Sequence, residues 1–362
     1  LSFCLFFLKK KRKLYEKKLS LNMALYGFPK SSSSSSFSET RGGLEKIKES
    51  ISLIKYDAPK RKHIFSRQDM ALCFVFFNPA RSTKLLMNYL YIIEKLRTSR
   101  IPFYTLELCY GDNAPEIKKA FHIFTKNENV MFHKEQLCHL LEKQIPYHFT
   151  KLLFLDSDII FENPSFYDEV SSLLNTHDIV QPFKTAKWID AEYKEVIQER
   201  FSSALMNRKA PYDSVNFHPG FGWAFKRSWF KKVGFFQYGI TGSGDTLSVA
   251  AWLQISPPKV CFIKAIRNSF NQFANTVKKY PPKITCATHS VYHLWHGMHK
   301  KRQYVSRHLI LQHVDDVSDI LEISSSGLFE YNYGRDHESS HMVSKVSKDL
   351  ITYFLQREDD EV

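Results

Sequence analysis

The sequence predicts an α/β domain built on a mostly parallel, Rossmann-like sheet with helices on both faces. Three observations predict it. Apolar runs of strand length alternate with helix-periodic segments from Met70 onward, the strands read as continuous apolar stretches, as strands buried on both faces do, and turn-forming residues stand between them. The first strand is ALCFVFF, closed by Asn78 and Pro79 and followed by the helix-periodic TKLLMNYLYIIEKL. A second unit follows, with FYTLELCY as strand, GDN as turn and EIKKAFHIF as helix. A further helix is expected from His133 to Lys143, and after Pro146 comes the apolar run KLLFLDSDIIF. In such sheets ligands sit beyond the carboxyl ends of the strands.

Length and composition bound the rest. A chain of 362 residues accommodates one large catalytic domain with extensions, divided here as 1–68, 69–314 and 315–362. With 43% apolar and 15% aromatic residues, the core is sizeable and wholesale disorder is excluded. The first segment is basic (KKKRK, Lys9 to Lys13), then serine-rich (Ser31 to Ser36), and reads as a flexible tail and linker. Its apolar start, LSFCLFFL, is too short to span a bilayer and precedes its basic cluster, the reverse of a signal peptide. It reads either as the end of a membrane anchor with the domain on the cytosolic side or as sequence upstream of a start at Met23. The expectation is a cytoplasmic protein, peripheral to a membrane through the basic segment. Six scattered cysteines without a CxxC pair read as buried free thiols, which suits a reducing compartment. The excess of 51 Lys and Arg over 37 acids is diffuse, and no zinc-finger, RNP-like or helix-turn-helix signature accompanies it, so nucleic acid is not an expected partner.

The chemistry-bearing feature is Asp156-Ser157-Asp158, which arrives where the apolar strand LLFL runs out. Side chains two apart on a strand share a face, so both carboxylates are expected to aim at one point above the strand end and to hold a hard divalent cation, Mn or Mg. Alone, an Asp-x-Asp triplet is as readily a solvated turn or a helix cap.

In context, FLDSDIIFENPSFYD resembles the Asp-x-Asp segment of metal-dependent GT-A glycosyltransferases of the family-2 type, and three later segments follow in the order that family shows. The resemblance covers roughly Met70 to His308. HPGFGWAFKRSWFKKVGFF resembles the Gly-rich strand and helix that close over the donor sugar, ITGSGDTLSVAAWL the segment whose acid faces the acceptor, and VYHLWHG the late histidine segment that completes the metal site. The resemblance thus implies Asp156, Asp158, His293 and His296 as metal ligands, and Asp245 as the base that takes a proton from an acceptor hydroxyl. It implies Gly222, Trp223 and Gly244 as donor-facing. Asn78, Arg81 and Glu107 follow as nucleotide contacts, with Asp156 touching ribose.

Each has an ordinary structural reading beside it. Gly220 and Gly222 let backbone approach a ligand or simply turn, Trp223 faces a sugar or fills the core, and Asp245 acts as base or caps the apolar helix after it. Histidine suits Mn better than Mg, which tilts the metal toward Mn. Arg302 and Arg307 are candidate diphosphate partners or a basic helix face. Two departures stand out: His139 where relatives carry asparagine, and a single acid in GSGDT where some carry more.

The expected activity is transfer of a hexose from a nucleotide sugar, UDP-linked first, to an acceptor hydroxyl of a glycan, protein or lipid. Inversion is expected, with the diphosphate on the metal. The rival readings are an inactive nucleotide-sugar-binding protein of the same fold and a sugar nucleotidyltransferase, although the loop FFNPARS lacks the glycines a nucleotidyltransferase needs there.

Overall fold

The computed structural model describes residues 69–334 and 337–360; the basic and serine-rich segment before residue 69 lies outside the described residues. The elements in chain order are β1 (Met70–Phe77), α1 (Thr83–Ser99), β2 (Phe103–Tyr110), β3 (Phe121–Thr125), α2 (Lys134–Glu142), β4 (Lys151–Leu155), β5 (Ile159–Phe161), α3 (Phe166–Leu173) and β6 (Ile179–Gln181). Then come β7 (Thr185–Ile189), β8 (Val196–Ser202), β9 (Phe217–His218), β10 (Gly222–Lys226), α4 (Arg227–Phe230), α5 (Gly244–Leu253), α6 (Lys264–Lys279), β11 (Ile284–Cys286) and β12 (Ser290–His293). The hairpin β13 (Leu321–Ile323) and β14 (Phe329–Tyr331) and the helix α7 (His337–Gln356) complete the chain.

The main sheet has seven strands in the order β11-β6-β10-β4-β1-β2-β3. Strands β1, β2, β3 and β4 pair in parallel, and β10 is the antiparallel strand, inserted between β4 and β6. The α/β class expected from the sequence is therefore the one found, with the Rossmann-like order 3-2-1-4 in its first half. Both faces are covered. Tyr89 of α1 meets Phe74 and Phe76 on one face, while Ala71 and Cys73 on the other share a core with Leu137, Cys138 and Leu141 of α2. The helix α5 is apolar all round because it is buried all round, from Leu247 to Leu253.

A second sheet, β5-β12-β7-β8-β9, abuts the first, and the chain crosses from β4 to β5 over residues 156–158. One expected helix is absent. In EIKKAFHIF the first five residues form a turn and FHIF enters β3, paired in parallel with β2, instead of a helix. The backbone N–H groups of Glu116 and Ile117 donate to the buried Glu107 carboxylate (2.6 and 2.9 Å), which turns the chain just where a helix would start, and the aromatic FHIF then fills the free edge of β2.

The residues after 314 share the core of the sheet. Phe354 of α7 packs on Phe132 and Phe77, and Tyr331 of β14 donates to the Val130 carbonyl at 3.0 Å. The five described cysteines are free thiols, four of them buried. Among the described residues no helix is long and apolar enough to cross a membrane.

Candidate functional site

The site lies at the carboxyl ends of β1 and β4, where strand order reverses and the two sheets meet. Strand β4 stops at Leu155, residues 156–158 turn, and β5 begins at Ile159. The two carboxylates are therefore not on one face of one strand, and they part. Asp156 Oδ1 pairs with Lys134 Nζ at 2.5 Å, and its Oδ2 accepts from Phe221 N–H at 3.2 Å. Asp158 turns the other way, toward the end of β12, because Ile159 pairs with His293 and the Asp158 carbonyl accepts from Leu294 N–H at 2.7 Å.

There Asp158, His293 and His296 form a group with the spacing of a metal centre, their nearest ligand atoms all within 4.8 Å of one another. Asp158 Oδ2 lies 2.8 Å from His296 Nε2 and 3.6 Å from His293 Nε2, and the two Nε2 atoms are 3.0 Å apart. Asp158 Oδ1 is buried with no hydrogen-bond partner. Burial alone would raise the Asp158 carboxyl, but His293 and His296 beside it hold it well below the usual range. Burial pushes the His293 imidazole below its ordinary range, against the pull of Asp158. A buried carboxylate whose Oδ2 faces two imidazole nitrogens while its Oδ1 is without a partner fits a divalent cation, and two nitrogens with one oxygen suit Mn, Fe or Zn better than Mg. Asp156 is not in the group.

A cavity on the other side of the turn is lined by Lys134, Asp156, Gly222, Trp223 and Asp245, over a floor of Cys73, Val75 and Phe154. Burial works against the Lys134 charge, but Asp156, Asp245 and Glu135 hold the ammonium protonated, above its ordinary range. Glu135, buried against Gly244, is pushed up to about 8 by its burial, opposed by Lys134 and reinforced by Asp245. Asp245 stands in the first turn of α5, one residue inside its start, where its Oδ1 accepts from Thr246 N–H at 2.7 Å; the N-cap position itself is Ser243. Its Oδ2 remains directed at Gly220. A Cβ on Gly220 would lie 2.9 Å from Asp245 Oδ2 and 2.9 Å from His218 Nε2, so the two polar atoms face each other across a gap that only glycine leaves open. His218 Nε2 is buried without a partner, and burial, with Arg200 and His293 near, keeps the ring neutral, well below its ordinary range.

Phe221 joins the two halves of the site. It holds a left-handed φ of 73°, accepts from the Asp156 N–H at its carbonyl and donates its own N–H to the Asp156 carboxylate. Its ring stacks on His293 at 4.9 Å and meets His218 at 4.1 Å and Trp188 at 4.9 Å. A bulky residue in that conformation is strained by roughly 1–3 kcal/mol and persists only where its surroundings fix it.

Other expected residues have structural duties. Trp223 is 3% exposed, donates from its indole to the Pro219 carbonyl at 2.7 Å and packs edge-on to Trp252, so it is a core residue at the wall of the cavity. Gly222 is required by β4, since a Cβ would meet Leu155 Cδ2 at 2.7 Å. Gly244 is required by Glu135, whose Cδ would stand 2.3 Å from its Cβ. Asn78, Arg81 and Glu107 line a second cavity with Tyr110, Asn113 and Glu116, at the ends of β1 and β2. Asn78 also closes its own loop, accepting from Ser82 N–H at 2.8 Å and donating to Ser82 O at 2.9 Å. His139 Nε2 lies 3.1 Å from both the N–H and the carbonyl of Phe235, and its tautomer decides which of the two it bonds, a packing role. Arg307 is buried beneath Gly242 and donates to Tyr353 at 3.2 Å; Arg302 lies against His296. Sequence reasoning missed Lys134, Glu135, His218 and Phe221. His218 sits inside HPGFGWAF, whose glycines took the attention, and Lys134 and Glu135 read only as the start of a helix.

No family model matches the chain, and no curated protein matches it. Among solved structures it is similar to glucosyl-3-phosphoglycerate synthase from Mycobacterium tuberculosis in complex with Mn2+, UDP and phosphoglyceric acid, at 13% identity and a TM-score of 0.34, over 66% of this chain and 77% of that one. It is also similar to a Bacillus anthracis protein assigned as a glucose-1-phosphate thymidylyltransferase, in complex with sucrose, at 9% identity and a TM-score of 0.31, over 61% of this chain and 88% of that one. At this distance neither likeness carries the role of a residue to this chain.

Proposed function

We propose that the protein is a metal-dependent glycosyltransferase of the GT-A type, moving a hexose from a nucleotide sugar, UDP-linked first, to an acceptor hydroxyl with inversion. The observation that carries this reading is the group Asp158, His293 and His296, set back to back with an acid-lined cavity across a three-residue turn. A divalent cation held by that group, Mn2+ in preference to Mg2+, would supply positive charge to a leaving nucleotide diphosphate. Asn78, Arg81, Glu107 and Glu116, which line a cavity at the ends of β1 and β2, would receive the nucleoside. Lys134 holds Asp156 in place and offsets its charge where the donor sugar would lie. Asp245 Oδ2 takes the acceptor proton, and His218 Nε2, facing the same gap, gives the acceptor oxygen a second hydrogen-bond partner that orients it. Gly220 keeps the gap open.

The sugar nucleotidyltransferase reading is less favoured by the loop after β1. The Ser82 N–H is taken by Asn78, and those of Thr83 and Lys84 by Asp360, so that loop has no free row of N–H groups at its helix start to cradle a triphosphate.

The test is a screen of UDP- and GDP-sugars with Mn2+, Mg2+ or chelator, scored by release of free nucleotide, beside a second screen for the rival in which a nucleoside triphosphate and a sugar 1-phosphate are supplied and release of pyrophosphate is scored. Nucleotide release that needs Mn2+ and is lost in Asp158→Asn is expected. Release of neither product from any donor, with Asp158→Asn indistinguishable from wild type in Mn2+ binding, would overturn the enzyme reading.

A further inference from the structure

The helix α7 ends at Gln356, and the residues after it run back over the metal group. Asp359 is 6% exposed, yet its Oδ1 lies 3.7 Å from His296 Nδ1, 3.2 Å from Arg302 Nη2 and 3.1 Å from Arg357 Nη2. On one side the segment is pinned to the loop that carries His296. Lys301 pairs with Glu358, and Gly297, at a φ of 89°, is so close that a Cβ would meet Glu358 O at 3.0 Å and Asp359 Cα at 3.1 Å. On the other side Asp360 accepts from Ser82 Oγ at 2.7 Å and from the N–H groups of Thr83 (3.0 Å) and Lys84 (2.8 Å) at the start of α1. Two adjacent residues thus bridge the histidine loop and the first helix of the sheet.

The chemistry of a ligating histidine gives this bridge a meaning. A ring that offers its Nε2 lone pair to a cation carries its proton on Nδ1, and an acceptor facing Nδ1 fixes both the tautomer and the ring plane. Two groups face the Nδ1 of His296. Arg302 only donates, so its guanidinium against Nδ1 favours the other tautomer, with the proton on Nε2 toward Asp158 at 2.8 Å. Asp359, 3.7 Å from Nδ1, is the one of the two that can accept.

We propose that Asp359 is the positioning carboxylate of His296, and that the segment Arg357–Asp360 completes the metal centre from beyond α7. This rests on the metal-centre reading above. Asp359 and Arg302 pull the imidazole in opposite senses, Asp359 toward the form that binds a cation and Arg302 away from it. Arg357 pairs with Asp359 and holds it in place, and Asp360 ties the segment to α1.

Titration of Mn2+ into the full chain, by calorimetry and by the free-ion EPR signal, tests this without any donor sugar. Asp359→Asn is expected to weaken Mn2+ binding by about 10- to 100-fold, the usual loss when a partner behind a metal-bound histidine is removed, while Arg302→Gln binds at least as tightly as wild type. A merely structural ion pair would make the two variants lose affinity together, and that result overturns the proposal, as does wild-type affinity in Asp359→Asn. Should Asp359→Asn not fold, the exposed Asp360→Ala is read in its place: weakened Mn2+ binding supports the brace and unchanged binding overturns it. A wild-type chain that takes up no Mn2+ strikes at the metal centre itself, an outcome distinct from a wild type that binds and an Asp359→Asn that binds equally well.

Discussion

Gly220→Ala puts the proposed chemistry under the smallest perturbation the chain allows. Its methyl group would stand 2.9 Å from both Asp245 Oδ2 and His218 Nε2, where ordinary contact begins at 3.4 Å, so each group must retreat by about 0.5 Å. Both are the free ends of rotatable side chains, so the fold absorbs the change at a cost of about 1 kcal/mol, the low end for an added methylene. The site does not absorb it. A base displaced by half an ångström, with a methyl group in the space meant for the acceptor oxygen, should lower turnover by roughly 10- to 100-fold. The assay is nucleotide release from whichever donor the screen identifies, beside Mn2+ titration of the same preparation. Mn2+ affinity should hold, because Asp158, His293 and His296 lie beyond the turn. If Gly220→Ala turns over within roughly twofold of wild type, the gap between Asp245 and His218 is not where the acceptor oxygen goes, and the base assignment goes with it.

Two further substitutions read the cavity through stability. Glu135 carries a folded-state pKa of about 8 against an ordinary 4.5, so the folded chain keeps a proton that the unfolded chain releases across that window. Its contribution is full below pH 4.5 and is lost as pH rises through 8, at no more than about 1.4 kcal/mol per pH unit. Glu135→Gln should therefore gain on wild type steadily in urea denaturation from pH 5.5 to pH 8.5, and parallel profiles would show that Glu135 ionises normally. Gly244→Ala drives a Cβ into the buried Glu135 carboxylate, at 2.3 Å from its Cδ, and should cost about 2 kcal/mol, or roughly 4–8 °C in Tm. Adding Glu135→Ala should restore most of that loss; a Gly244→Ala chain of wild-type Tm would return Gly244 to the ligand-facing role the sequence suggested.

Much of the fold was legible because its determinants are local. The runs ALCFVFF and FYTLELCY are unbroken apolar stretches, and they became β1 and β2, flanking strands of a sheet covered on both faces. What failed was decided by distant residues. EIKKAFHIF carries helix-forming residues at its start, yet Glu107, nine residues upstream of Glu116, claims the N–H groups a helix would need. The helix α6, with polar residues through much of NSFNQFANTVKK, was not anticipated, and its buried stripe of Ala265, Ile266, Phe270 and Val277 is plain only once the partner surface is known. The terminal helix read in the segment after residue 314 is α7, and its Val343, Val346 and Leu350 pack into the same core.

The site shows the same division more sharply. That Asp156 and Asp158 mark the end of a buried strand could be read from LLFL, but the period-two argument that put both carboxylates on one face assumes the strand continues. It does not, because β4 belongs to one sheet and β5 to another, and register alone brings Ile159 beside His293. The turn gives each acid a separate task. Asp156 is neutralised by Lys134 at the cavity, where a bare pair of carboxylates beside Asp245 would repel an anionic donor. Asp158, alone with two imidazoles, makes a site of two nitrogens and one oxygen, in which metal preference shifts from Mg toward Mn. The set expected from sequence, which adds Asp156 to Asp158, His293 and His296, would have been harder and more anionic. Mg2+ that supported transfer as well as Mn2+ would therefore argue that Asp156 swings from Lys134 to the cation.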